Sequence, residues 1–213
     1  PSGKIFSLHA LIFGVAISLG GIALLTFGIN FLTGFLSALT LATYLFLYTP
    51  LKRLTSASTI VGAIPGALPV LIGWSAARNE ITLSSLTIFA IVFYWQMPHF
   101  YAIALMHLND YSKAGLPLLP IVKGVHRTKI QMALYIIAFV PVVLLFTLFH
   151  YTGLLFFIVT GILGTVWLAL AVQGLIMQDN QIWNRNMFLF SLVIMAVICL
   201  LIPVEVMLNL NSL

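Results

Sequence analysis

Long apolar stretches separated by short polar breaks set the pattern of this chain. A helix needs roughly 20 apolar residues to cross the hydrocarbon core of a bilayer. Runs of that kind occupy 9–28, 31–49, 59–77, 83–105, 131–151, 154–177 and 187–208. The breaks carry turn and loop chemistry: GIN at 28–30, TPLKRLTSAS at 49–58, ARNE at 77–80, NDYSKAGLPLLPIVKGVHRTK at 109–129 and QDNQIWNRN at 178–186. The apolar runs are continuous and show no period-two alternation, which excludes a transmembrane β-barrel. The pattern predicts an all-α, polytopic transmembrane helical bundle, read as one domain over 1–213, with no internal repeat.

Composition sharpens this. The chain is 62% hydrophobic and only 6% charged, against about 25% charged in soluble domains, so its solvent is mostly lipid. One cysteine, Cys199, rules out an intramolecular disulfide. Charge then orients the bundle. With the first residues on the cytoplasmic side, every Lys and Arg except Arg78 falls in an inner loop, as the positive-inside rule requires. The carboxyl terminus is then outside. Inner loops carry the polar chemistry, and nothing in the pattern points to nucleic acid.

The stretch YWQMPHFY at 94–101 stands out inside an apolar run. At 100° per residue, Trp95, His99, Met106 and Asp110 fall within an arc of about 60°, with Gln96 flanking it. Polar groups in a span face the bundle interior and are functional candidates by default. Each alone could equally be a packing or interfacial residue. Together they predict a face running from the membrane interior to the cytoplasmic mouth at Asp110.

The loop at that mouth continues with Tyr111, Lys113 and Lys123, and the end of the second run offers Tyr48, Lys52 and Arg53. One carboxylate among several cations suits a phosphorylated anion whose charge is shared with a divalent metal. Mg²⁺ characteristically uses one or two carboxylates together with substrate phosphates. For Lys123, Arg127 and Lys129 the positive-inside rule alone is an equal explanation. In the third run, Gly62 and Gly66 form a GxxxG pair that predicts close helix packing.

YTPLKR (48–53), GAIPGALPVLIGW (62–74), WQMPHFYAIAL (95–105) and NDYSKAGLPLLPIVKG (109–124), with PSGKI (1–5) and QIWNRNMFLFSL (181–192), together resemble the haem O synthase branch of the UbiA prenyltransferase superfamily. The resemblance implies a bundle of nine spans around a lateral cavity, of which seven are present here. It implies transfer of farnesyl from farnesyl diphosphate to a vinyl group of haem B, with hydroxyl addition, giving haem O and diphosphate. It implies Mg²⁺ held by Asp110, with Lys52, Arg53 and Lys123 on the leaving group. Tyr48, Trp95, Gln96, His99, Tyr101, Tyr111 and Lys113 then become substrate-binding candidates, with His99 either a haem ligand or a structural residue. Tyr94, Trp95, Phe100 and Tyr101 are candidates to line a dry pocket for a carbocation, since ring faces favour positive charge. The superfamily's first Asn-x-x-x-Asp-x-x-x-Asp motif does not occur, and Asp110 and Asp179 are the only aspartates; an amino-terminal truncation that removes two spans accounts for both. A bacterial inner membrane is expected rather than a mitochondrial one, with haem A synthase or terminal oxidase assembly as downstream partners.

Rival readings are a UbiA-type enzyme with another acceptor, such as a quinone precursor; a transporter or proton relay; and a non-catalytic membrane haem-binding protein. The outer halves of the spans carry no ionisable series, which argues against a conduction path.

Overall fold

A computed structural model describes residues 6–177 and 180–210; Lys4 and Asp179 lie outside them. Among the described residues the chain is helical with no strand: α1 (Ser7–Gly28), α2 (Phe31–Ala42), α3 (Thr49–Leu51), α4 (Ser58–Arg78), α5 (Leu83–Met106), α6 (Leu108–Lys113), α7 (Leu119–Val122), α8 (Val125–Leu148), α9 (Leu154–Ile176) and α10 (Gln181–Leu210). A π-helical turn, Thr43–Tyr48, joins α2 to α3, so Phe31–Leu51 is one span. Among the described residues seven helices are long and apolar enough to cross a membrane, in the order the sequence predicts.

Their boundaries differ in one systematic way. Helix α8 begins at Val125 rather than 131, and α10 at Gln181 rather than 187. Hydropathy marks the part of a helix that sits in lipid. The helix itself runs on into the interface, carrying His126, Arg127 and Lys129 in one case and Trp183, Asn184 and Arg185 in the other. Lys129 is buried there, donating to the Met177 carbonyl at 3.1 Å with its ammonium 4.9 Å from the Trp183 ring. It fastens α8 to the α9–α10 connection.

Helix α5 is the hub, packing against α4, α8 and α10, while α2 packs on α4 and α1 on α2. Pro98 is buried within α5 and does not end it. The core is aromatic and aliphatic, with Phe139 and Trp167 in edge-to-face contact at 5.4 Å, a geometry worth about 0.5–1.5 kcal/mol beyond area burial. Polar caps close the end of the bundle opposite the basic loops. Asn30 accepts from the Thr33 N–H at 2.8 Å and donates to the Ser75 carbonyl at 2.8 Å. The buried Glu205 carboxylate of α10 accepts from the Gly153 and Phe156 N–H groups at 2.8 and 2.9 Å, covering the N-terminus of α9.

Candidate active site

Between α2, α4, α5 and the α6–α7 segment lies a cavity of about 730 Å³. That size is within the usual range for small-molecule sites. Its mouth, at the basic end of the bundle, holds Lys52, Tyr48 and Tyr111; Leu41, Ile72, Phe100 and Ile103 make its apolar walls. The Lys52 ammonium stands 5.8 Å from the centre of the Tyr48 ring, and Tyr44 packs beside that ring at 5.3 Å.

The local sequence explains how these groups arrive. Ser37, Thr40, Tyr44 and Tyr48 all line the cavity, spaced three or four apart so that one helical face carries them. Pro50 has no N–H to give the carbonyl four residues back, and the α-helical register is lost just before it. In the π turn the Thr49 hydroxyl donates to the Tyr44 carbonyl at 2.9 Å. Such turns recur at functional sites.

On α4, Gly62 and Gly66 face the cavity wall. A Cβ at Gly62 would meet Tyr48 ring carbons at 2.7 Å, and one at Gly66 would strike Gln96 Oε1. The GxxxG pair, read in the sequence as close helix packing, here makes room for the Tyr48 ring and for the Gln96 amide of the packed helix α5. Gln96 is buried and donates through Nε2 to the Val92 carbonyl at 3.2 Å and to the Ala63 carbonyl at 3.4 Å. Its Oε1 is left facing Gly66 at the cavity's inner end. Going inward along α4, the order is Lys52 over Tyr48 at Gly62, then Gln96 at Gly66.

The structure divides the residues singled out in the sequence. Tyr48, Lys52, Gln96 and Tyr111 share this cavity. Trp95 and His99 do not line it. Trp95 Nε1 donates to the Ser191 carbonyl at 2.7 Å, His99 Nδ1 is 2.8 Å from Ser191 Oγ, and the His99 ring lies between Trp95 (4.8 Å) and Phe188 (5.0 Å). These residues fasten α5 to α10. The predicted continuous face down to Asp110 also does not form. Helix α5 stops at His107, whose backbone (φ −111°, ψ 28°) is not helical, and Asp110 rides on the separate α6. There its carboxylate is exposed, 3.5 Å from His107 Nδ1.

Arg53 and Lys113 are exposed near the mouth and do not line the cavity. Tyr101 and Lys123 line a different, smaller cleft. Of the four aromatics proposed for a cation pocket, only Phe100 lines the cavity. Tyr44, Ser37 and Thr40 were not singled out in the sequence, although their spacing with Tyr48 was the available signal. Among the described residues no three His, Cys, Asp or Glu side chains gather as a metal cluster.

A bundle of helices long and apolar enough to span a bilayer, with an apolar cavity opening at a cationic mouth, defines a class: a polytopic membrane protein with an internal apolar site. Comparison with known proteins agrees. The UbiA prenyltransferase family matches residues 1–193, and the chain belongs to that family. It is 42% identical over 203 residues to the protoheme IX farnesyltransferase of Protochlamydia amoebophila (strain UWE25), covering 95% of this chain and 72% of that one. It is 39% identical over 193 residues to that of Myxococcus xanthus (strain DK1622), covering 91% and 66%. It is 35% identical over 208 residues to protoheme IX farnesyltransferase 1 of Bacillus subtilis (strain 168), covering 96% and 65%. The chain thus spans about two thirds of the length of the latter two relatives. No solved structure matches.

Proposed function

We propose that this protein transfers a farnesyl group from farnesyl diphosphate to a vinyl group of haem B (protoheme IX), with a hydroxyl added from water, giving haem O and diphosphate. The observation that carries the reading is the cavity: a Lys52–Tyr48–Tyr111 mouth opening onto an apolar interior, in a chain whose relatives are protoheme IX farnesyltransferases.

The chemistry asks for two environments. As the bond from farnesyl carbon 1 to diphosphate oxygen breaks, the electron pair leaves with the diphosphate. The vinyl π electrons form the new carbon–carbon bond, and water captures the resulting cation and loses a proton. Lys52 stabilises the leaving group where its charge develops. The faces of Tyr48, Tyr44 and Phe100 favour positive charge inside. The apolar walls accommodate the prenyl chain and keep bulk water out.

Asp110, next to Tyr111 at the mouth, suits the single-carboxylate, phosphate-dependent holding of Mg²⁺. The ion would neutralise diphosphate charge when bound. Arg53 and Lys113 would draw the anionic substrate towards the mouth. The reading takes 1–213 as one membrane domain, with the basic end cytoplasmic in a bacterial inner membrane and haem A synthase or terminal oxidase assembly downstream.

The test uses membranes of a strain without its own protoheme IX farnesyltransferase, expressing the intact protein, with haems separated by chromatography. Haem O is expected from the wild type. Lys52→Gln and Asp110→Asn each lower its yield by about 10²-fold, the scale for losing one electrostatic stabiliser of a leaving group. Prenylation of another acceptor with no haem O would overturn the assignment. Wild-type yield from both variants would move the diphosphate elsewhere.

A further inference from the structure

A second cleft, of about 370 Å³, lies at the same end of the bundle, on the other side of the wall formed by α4 and α5. Thr59, Phe100 and Leu118 face the large cavity, whereas Ile60, Tyr101 and Leu119 face this one. Its polar lining is Lys123, Arg127, Ser56, Gln131 and Tyr101, and among the described residues none that lines it is acidic. The N-terminus of α8, which has no side-chain cap, begins between the two cations, after Gly124 at φ 84°. Such a terminus favours anions.

A second observation points to a ligand. Tyr101 is only 2% exposed, yet its side chain borders the cleft and its hydroxyl has no hydrogen-bond partner among the described residues. The cleft is therefore lined by a tyrosine as well as by two cations.

The other half of the cleft is apolar and faces lipid. Helix α5 packs against both α4 and α8, so those two helices flank a groove along its outer side. Ile60 and Ile64 follow one another along α4, and Ile130, Leu134 and Ile137 along α8, all between 37% and 52% exposed. These are two parallel apolar tracks running away from a cationic head site.

From this we infer that the cleft binds an anionic glycerophospholipid, its phosphate on Lys123, Arg127 and the Tyr101 hydroxyl and its acyl chains along the two tracks. Basic pockets between spans at a cytoplasmic surface are suited to acidic head groups. A zwitterionic lipid fits less well, because its ammonium would sit among cations with no carboxylate to meet it. The site is separate from the diphosphate-binding mouth. It assigns to Lys123 and Tyr101 a role outside the transfer reaction.

The test is native mass spectrometry of the intact protein released from nanodiscs of phosphatidylcholine and phosphatidylglycerol in equal amounts. The wild type is expected to retain phosphatidylglycerol preferentially. Each of Lys123→Gln and Arg127→Gln lowers that retention about fivefold, from roughly 1 kcal/mol per basic residue near an anionic surface. Tyr101→Phe lowers it without removing charge. Arg185→Gln, at the same end but outside the cleft, leaves it unchanged. Equal retention of both lipids by the wild type would overturn the proposal, as would loss in Arg185→Gln matching that in Lys123→Gln. Displacement of the lipid by millimolar inorganic phosphate or diphosphate would show a site for soluble phosphate instead, and would also overturn it.

Discussion

Glu205 shows how much a single side chain holds at this fold's closed end. It is the only carboxylate among the described residues that is buried, and both of its oxygens accept N–H groups, from Gly153 and Phe156, at the start of α9. Negative charge at a helix N-terminus is favourable, and an N–H stranded in a buried place costs about 1–3 kcal/mol. Glu205→Ala strands two such groups. It is expected to lower the unfolding temperature in detergent by several degrees, with Glu205→Gln losing less because one acceptor oxygen survives. The measurement is a thermal melt followed by circular dichroism. An unchanged melting temperature in both variants would mean that water replaces the carboxylate at no cost. His99 is held from several sides as well: its Nδ1 lies 2.8 Å from Ser191 Oγ and its ring lies between those of Trp95 and Phe188, which joins α5 to α10.

At the scale of elements, α4 illustrates a motif whose pattern was legible while its purpose was not. Small residues four apart on an apolar helix predict a close approach. What approaches Gly62 and Gly66 is the Tyr48 ring and the Gln96 amide. Alanine forms helix better than glycine by roughly 1 kcal/mol, so Gly62→Ala leaves α4 itself intact while pushing Tyr48 into the cavity. Haem O formation is expected to fall about tenfold, equivalent to roughly 1.4 kcal/mol, with the melting temperature held or raised. Paired measurement of yield and melting on Gly62→Ala checks this, and undiminished yield would show that Tyr48 can move without consequence. The end of α5 at His107 is a different case. No glycine or proline marks it, so a wheel drawn through 95–110 carries Asp110 onto a face it never joins.

Among the described residues the cations gather at one end of the molecule. Lys52, Arg53, Lys113, Lys123, Arg127, Lys129 and Arg185 lie at it, while Arg78 and Glu80 lie at the other. On the orientation proposed above, the positive-inside rule predicts a cytoplasmic mouth for the cavity. In a Cys199→Ser background, a membrane-impermeant maleimide is expected to label Glu80→Cys in intact cells and Lys113→Cys only in inverted vesicles. The reverse pattern would turn the bundle over and place the cavity's mouth outside.

The span order and the basic end were readable directly, because hydropathy and charge are properties of contiguous residues and the bilayer acts on each helix separately. Three residues that line the mouth were visible too: Tyr48, Lys52 and Tyr111 lie close to loops where charge and aromatic rings interrupt apolar runs. Which of the polar residues within the spans meet one another was decided only by packing. A helical wheel places Trp95, Gln96 and His99 near one another, but it does not say which neighbour each one faces. With α4 against one side of α5 and α10 against another, Gln96 turns to the cavity at Gly66 while Trp95 and His99 turn to Ser191. Neighbouring residues on a helix point about 100° apart, so adjacent positions end in different chemistry once the partners of the helix are chosen.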